Sequence, residues 1–290
     1  DTTALDLGTG ELTPLDTEVS FVGDAQLTTS PLGIVQRRWV SAGETVTVVD
    51  WNLEALATFD SVEFGAMQAT PDDDLWVLLY DGENTLARVT PAGVLRPVRS
   101  LNGWASLVGT VDGEALVSSS WSGSTHRVTV DGTTALVGGQ VALSGGRDWM
   151  LTADCTPTLE CTASLVDLVS GNEETIELPD RGNWLQPGPL SWDGRRGLMF
   201  AWGRDGPDQL LVIDVDEMSI SSVESPAVEF FGPGQGGYDH ELRYALRPAG
   251  NIAIIELLTG TEIEIDIGDA VRELLVAPPG WEPPSAEPVR

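Results

Sequence analysis

Apolar and polar positions in this chain alternate with a period of two over short runs, and the runs come in pairs joined by a tight turn. The pairs are "TALDLGTGELTPL" (3–15), "TVTVVDWNLEALATF" (45–59), "TLARVTPAGVLRPV" (85–98), "HRVTVDGTTALV" (126–137), "ASLVDLVSGNEETIEL" (163–178), "LLVIDVDEMSISSV" (210–223) and "IAIIELLTGTEIEIDI" (252–267). Such alternation puts successive side chains on opposite faces of an extended chain, and a turn carrying Gly, Asn or Asp between two runs predicts an antiparallel hairpin. The turns fall near Gly10, Asn52, Gly93, Gly132, Gly171, Glu217 and Gly260, at intervals of 42, 41, 39, 39, 46 and 43 residues. No amphipathic helical pattern of about ten residues or more interrupts them, which argues against a parallel sheet with helical crossovers.

Two further β-like runs precede most hairpins, as in "VEFGAMQATPDDDLWVLLYDGEN" before the third and "PLSWDGRRGLMFAWGRDG" before the sixth. Each full unit then has four strands, a to d, in about forty residues, which is the size of a propeller blade. The expectation is an all-β chain folded as a single β-propeller over residues 1–278, with seven blades, or six in the alternative. The N-terminal hairpin lacks strands a and b, and "AVRELLVAP" (270–278) is a strand-like run after the last hairpin. Pairing the two ends in one closing blade would remove exposed sheet edges. "PGWEPPSAEPVR" (279–290) is too rich in Pro for a central strand and reads as a Pro-rich C-terminal tail or linker.

The stretch "ATPDDDLWVLLYDGENTLARVTPAGVLRPV" (69–98) resembles a blade of the NHL, YVTN and streptogramin-lyase group of bacterial propellers. "LSWDGRRGLMFAW" (190–202) and "LLVIDVDEMSISSV" are similar to blades of the TolB type. The resemblance covers about half the chain and implies the fold, not an activity, because propellers share blade patterns across unrelated functions. Lyase activity in the first group depends on histidines recurring along inner strands. The only histidines here, His126 and His240, lie in no matching context.

Charge narrows the partners. Asp and Glu number 45 against 15 basic residues, every one an Arg, for a formal net charge of −30. Such a surface repels phosphate backbones, which excludes nucleic acid as a partner class, and attracts cations or basic proteins. Without Lys there is no Schiff-base nucleophile and no phosphate-binding P-loop lysine. No apolar run approaches the roughly 18 residues that span a bilayer, so direct membrane insertion is not expected. Asp1 in place of Met fits a processed N-terminus.

The repeat places Cys155 at the end of a strand b, "DWMLTADC" (148–155), and Cys161 at the start of strand c, "CTASLVDL" (161–168). Partners across the base of a b–c loop come within disulfide reach, whereas a structural zinc needs two more ligands and the spacing is not C-x-x-C. A disulfide is expected, and with it an oxidising, extracellular or cell-surface location.

In a propeller the b–c and d–a loops share one face. Aligned on the turns, an aromatic residue falls near the end of strand b five times, at Trp39, Tyr80, Trp121, Trp202 and Tyr244. Trp104 and Trp184 open blades at neighbouring d–a loops. These seven are candidates for an aromatic binding platform, and the competing reading is a ring at a repeat position packing between blades. Asp72, Asp73 and Asp74 lack the spacing of a calcium loop and read as an a–b turn, and Asp214 to Glu217 as a c–d turn. His240 lies between Asp239 and Glu241 without a nucleophile motif, inside the glycine-rich a–b connection 230–241. The function expected is a secreted or cell-surface binding and scaffold module for a protein or glycan, with no cofactor, metal ligand or catalytic residue assigned. The alternative is an extracellular lyase or hydrolase using carboxylates at the central channel.

Overall fold

The computed structural model of the chain describes residues 3–5, 12–14, 25–30, 32–40, 43–59, 63–69, 74–101, 103, 105–119, 124–138, 141–155, 161–176, 182–203, 209–223, 237–249, 251–265, 276–278 and 280–281, with side chains for part of them. The described residues are strands and turns, with no helix among them. β1 (Thr3–Leu5) and β2 (Leu12–Pro14) pair as a hairpin. Six four-stranded antiparallel meanders follow, the third and fourth joined through their first strands into one eight-stranded sheet.

Sheet 1 is β3 (Ala25–Ser30), β4 (Gly33–Val40), β5 (Gly43–Val49) and β6 (Ala55–Phe59). Sheet 2 is β7 (Glu63–Ala69), β8 (Leu75–Asp81), β9 (Glu83–Val89) and β10 (Leu95–Leu101). Sheet 3 is β11 (Ala105–Val111), β12 (Glu114–Ser119), β13 (Ser124–Val128) and β14 (Thr134–Gly138). Sheet 4 is β15 (Val141–Gly146), β16 (Trp149–Cys155), β17 (Cys161–Asp167) and β18 (Glu173–Ile176). Sheet 5 is β19 (Gly182–Leu190), β20 (Arg196–Gly203), β21 (Gln209–Asp214) and β22 (Ser219–Ser222). Sheet 6 is β23 (Gly237–Tyr238), β24 (Tyr244–Ala249), β25 (Asn251–Glu256) and β26 (Glu262–Ile265). All seven expected hairpins are present, and in each meander spatial order follows sequence order a-b-c-d.

The core lies between sheets. In β8, Leu75, Val77 and Leu79 pack with Leu32, Val35, Val46 and Val48 of sheet 1. The alternate residues Trp76 and Leu78 face the other way, onto Ala105, Leu107, Ala115, Val117 and Val128 of sheet 3. A strand buried on both faces needs no polar alternation, which is why "LWVLL" reads as one apolar run. β20 repeats the arrangement: Leu198 and Phe200 pack with Leu242, Ala245, Ile255 and Leu257 of sheet 6, while Met199 packs with Trp149, Leu151 and Leu165 of sheet 4. Each such side chain stabilises the stack by about 1.5–3 kcal/mol through lost apolar exposure. Strand d is the outer edge, and β10 accordingly alternates between half-buried and exposed positions.

Repeated joints lock neighbouring sheets. The indole Nε1 of Trp76 donates to the Gly113 carbonyl at 2.9 Å, and that of Trp149 to the Gly194 carbonyl at 2.6 Å; both rings are fully buried. In each case a tryptophan of strand b reaches the a–b turn of the following sheet. The turns themselves are linked, Asp112 N–H to Arg147 O and Trp192 N–H to His240 O, both at 2.9 Å. Innermost strands β11 and β15 meet at Gly109 and Gly145, where a Cβ on Gly109 would collide with the Gly145 carbonyl oxygen.

One sequence expectation changes. Tyr244 opens β24 instead of closing a strand b, because Asp239 Oδ1 caps the preceding turn by accepting the N–H groups of Arg243, at 2.7 Å, and Tyr244, at 2.6 Å. It therefore lies at the opposite end of its sheet from the aromatic platform. Near the expected tail boundary, Trp281 N–H donates to the Pro278 carbonyl at 3.1 Å; residues 279 and 282–290 lie outside the described residues.

Candidate functional site

Each meander has one end formed by its a–b and c–d turns and another formed by its b–c loop and the d–a connection. The second end lies largely outside the described residues, so the structure describes mainly the turn end. There the c–d turns share one geometry. A residue with left-handed backbone occupies the same place in all six: Leu53 (φ 65°), Gly93 (71°), Gly132 (82°), Gly171 (73°), Met218 (46°) and Gly260 (68°). Such a residue is what closes a short hairpin loop while keeping the strand twist.

Side-chain oxygens fix these turns. Asp50 Oδ1 accepts from Asn52 N–H at 2.9 Å and Glu54 N–H at 2.8 Å. Asp167 Oδ1 accepts from Val169 and Ser170, and Asp214 Oδ1 from Asp216 and Glu217. Asp167 is held below the ordinary carboxylate range by the Ser170 and Val169 donors. Asp131 is lowered to about 2, first by the Thr129 hydroxyl and then by the Thr133 N–H. The acidic surface is thus partly a consequence of how the turns are built.

Ion pairs rigidify the same end. Arg127 bonds Glu114 at 2.9 Å and Asp112 at 3.2 Å, whereas the two hydrogen bonds of Arg37 to Glu44, at 2.5 and 3.2 Å, tie β4 to β5 at the other end, beside the b–c loop. Arg196 bonds Asp214 at 2.9 Å, Arg195 pairs with Asp216, and Arg243 lies 2.5 Å from Glu241. Asp74 pairs with Arg88, whose guanidinium lies over the Trp76 ring at 5.2 Å. Asp74 thus has a structural partner; Asp72 and Asp73 lie outside the described residues.

Against this rigid frame stand exposed aliphatic side chains. Val94, Val130, Val169 and Leu258 all sit in c–d turns, Val169 at 80% exposure, and Tyr244 is 42% exposed beside an a–b turn. A second feature is aromatic. Trp51 of the sheet 1 c–d turn packs on Trp192 of the sheet 5 a–b turn, with centroids 6.0 Å apart, and Trp192 meets His240 of the sheet 6 a–b turn edge-on at 5.6 Å. Trp281 Nε1 donates to the Trp51 carbonyl at 2.6 Å. Sequence reasoning missed this cluster because it looked for aromatics at the far ends of strands b. The signal was present in "VVDWNLE" and "LSWDGRR", where a tryptophan follows the strand directly into its turn.

The seven platform candidates separate. Tyr80 packs against the core between sheets 2 and 3, and its hydroxyl lies 3.5 Å from the Ala105 carbonyl; burial pushes its phenol up. Trp39 stands near the end of β4, and Trp184 and Trp202 are direct cross-strand partners at the far end of β19 and β20. Their side chains, and Trp104 and Trp121 altogether, lie outside the described residues. Cys155 and Cys161 are register partners at the end of the β16–β17 ladder, as expected; their side chains also lie outside the described residues. His126 is in mid β13, half-buried, paired with Val117 and Leu136. His240 Nε2 lies 3.7 Å from Glu241. Of the glycine-rich stretch only Gly237 onward is described, as β23 and the following turn.

Solved structures with the same arrangement of sheets fix the fold. The chain is a β-propeller. An oligogalacturonate lyase in complex with manganese aligns with a TM-score of 0.54 at 11% identity, over 91% of this chain and 83% of that one. A prolyl endopeptidase aligns with a TM-score of 0.52 at 17% identity, over 83% of this chain. This chain spans 40% of that protein's length. TolB from Agrobacterium tumefaciens aligns at 0.48 and 14% identity, over 73% of this chain and 83% of that one. At these identities the likeness is one of fold alone. No protein-family model matches the chain, and no curated protein sequence matches it. Among the described residues there is no group of three or more His, Cys, Asp or Glu placed to hold a metal ion, and no helix long and apolar enough to cross a membrane.

Proposed function

We propose that this propeller is a binding and scaffold module that engages a basic protein partner through its turn end. The observation that carries this reading is the recurrence of an exposed aliphatic residue in four c–d turns, Val94, Val130, Val169 and Leu258, on turns held by side-chain caps and ion pairs. Rigid loops lower the ordering cost of association, and carboxylates around apolar tips suit a partner with Arg or Lys beside apolar groups. Asp131 is exposed in the turn that carries Val130, Asp216 and Glu217 are exposed in the sheet 5 c–d turn, and Asp112 in the sheet 3 a–b turn. The first strands of the sheets support binding at the turns over chemistry in a channel, since Gly109 and Gly145 close against each other there.

We further read the ring as seven blades, with β1–β2 and the run from residue 270 to 275 forming the closing blade; residues 276–278 are not strand. The contact of sheet 1 with sheet 5 through Trp51 and Trp192 supports closure. Cys155 and Cys161 form a disulfide in this reading, supported by their register, and the protein works outside the cytoplasm. A glycan could occupy the opposite face through Trp39, Trp104, Trp121, Trp184 and Trp202.

A photo-crosslinking residue placed at Val130 or Val169 tests the turn-end reading in the native host. Crosslinks to one protein from both positions, weakened by high salt and absent from the same residue at Ile263 on the outer strand, are the expected result. Equal capture from Ile263 would sink the proposal.

A further inference from the structure

The aromatic cluster at the turn end joins the first blade to the consecutive fifth and sixth blades, far from it in sequence. It is half-buried and already has an occupant. Trp281 N–H donates to the Pro278 carbonyl at 3.1 Å, and Gly280 has φ 75°. That backbone value is one a glycine adopts without steric cost, and a Pro-Gly pair is a strong turn former. The turn delivers the Trp281 indole to the Trp51 carbonyl at 2.6 Å, across 230 residues of sequence. Trp51 rests on Trp192 at 6.0 Å and Trp192 on His240 at 5.6 Å. The sequence around the contact, "VAPPGWEPP" (276–284), is short, Pro-rich and carries one large aromatic. Segments of that kind lose little conformational entropy on docking, and aromatic surfaces are their usual receptors.

We propose that the Trp51, Trp192 and His240 cluster is a docking site for a Pro-rich, Trp-bearing segment, and that its resident occupant is the chain's own residues 276–281. The segment acts as a strap. It ties Trp281 to the first blade beside the aromatic cluster and holds the site until it is displaced. The strap is independent of the partner proposed above, so loss of either reading leaves the other standing.

The test uses the full chain in wild-type form and as Trp281→Ala, with a fluorescein-labelled VAPPGWEPP peptide as probe. Hydrogen exchange should show amides of 276–281 protected in the wild type and exchanging at least about tenfold faster in the variant. Fluorescence anisotropy should show the peptide binding Trp281→Ala at least about tenfold more tightly than wild type, whose own strap fills the site. The double variant Trp281→Ala, Trp192→Ala should bind no better than wild type. Equal exchange in wild type and Trp281→Ala overturns the proposal, as does peptide binding that is equal in the two or absent from both. If Trp281→Ala fails to fold, Trp281→Phe carries the same test, because it keeps the ring and removes only the Nε1–H donor. Trp281→Phe indistinguishable from wild type in both readouts would also overturn it.

Discussion

Trp76 and Trp149 show what a single residue contributes to the stacking of sheets. Each indole is fully buried and sends its one donor to the carbonyl of a turn glycine in the next blade. Replacing Trp149 by Phe keeps most of the buried area but leaves the Gly194 carbonyl without that bond, at a cost of about 1–3 kcal/mol. Thermal unfolding should report it as a lowered Tm, and Trp76→Phe should lose a similar amount; an unchanged Tm in both would deny the joint. Asp131 offers a test through pH. Its folded pKa lies at about 2, below the ordinary value, so its hydrogen bonds with Thr129 and Thr133 contribute stability that is present above the unfolded pKa near 4 and is lost as pH falls through about 2. Carboxyl chemical shifts followed by NMR should give the low titration point, and Asp131→Asn should remove that part of the acid dependence. Tyr238 runs the other way. Burial pushes its phenol up, so folded-state stability should decline as pH rises above about 10, where the unfolded phenol ionises first. Absorbance at the tyrosinate band would show its late ionisation.

The c–d hairpin is the element in which sequence and structure agree most closely. Its position was legible because a left-handed residue is required once per blade and Gly meets that need at Gly93, Gly132, Gly171 and Gly260. Leu53 and Met218 fill the same place without being glycine, and there the neighbouring Asp50 and Asp214 caps gave the signal. Strand b of blade 6 was misjudged by its length: a short β23 and an Asp239-capped turn shift Tyr244 to the strand's start, which periodicity alone does not reveal. The Cys155 and Cys161 register, in contrast, followed directly from pairing the two runs. Turn glycines differ in what surrounds them. Gly171 has no atom within 4 Å of a built Cβ, so Gly171→Ala should cost only the left-handed backbone penalty, about 1–2 kcal/mol. A Cβ at Gly93 would in addition collide with the Leu56 carbonyl of blade 1. Gly93→Ala should therefore be the more destabilising of the two in denaturant titration, and the reverse order would refute the joint between blades 1 and 2.

At the scale of the whole molecule the question is how the first blade meets the last. Local patterns name strands and turns but carry no signal for contacts between residues more than a hundred positions apart, and the turn-end cluster depends on such contacts. Stacking alone places each meander only beside its sequence neighbours, as the buried clusters between blades 1 and 2 and between blades 5 and 6 show. Contact between Trp51 of blade 1 and Trp192 of blade 5 requires the stack to curve back on itself. If it does, Trp51→Ala and Trp192→Ala are not independent: aromatic pairs of this kind couple by about 0.5–1.5 kcal/mol. A double-mutant cycle read by urea unfolding should return that coupling, since distant, unconnected sites would add within roughly 0.3–0.5 kcal/mol. Ala4→Pro supplies the complementary reading, because it removes a ladder donor from β1, where Ala4 pairs with Thr13. In a ring closed by the N-terminal hairpin the variant frees two sheet edges and should both lower Tm and self-associate as concentration rises. A purely additive tryptophan cycle together with a monomeric, fully stable Ala4→Pro protein would mean that the blades form an open stack.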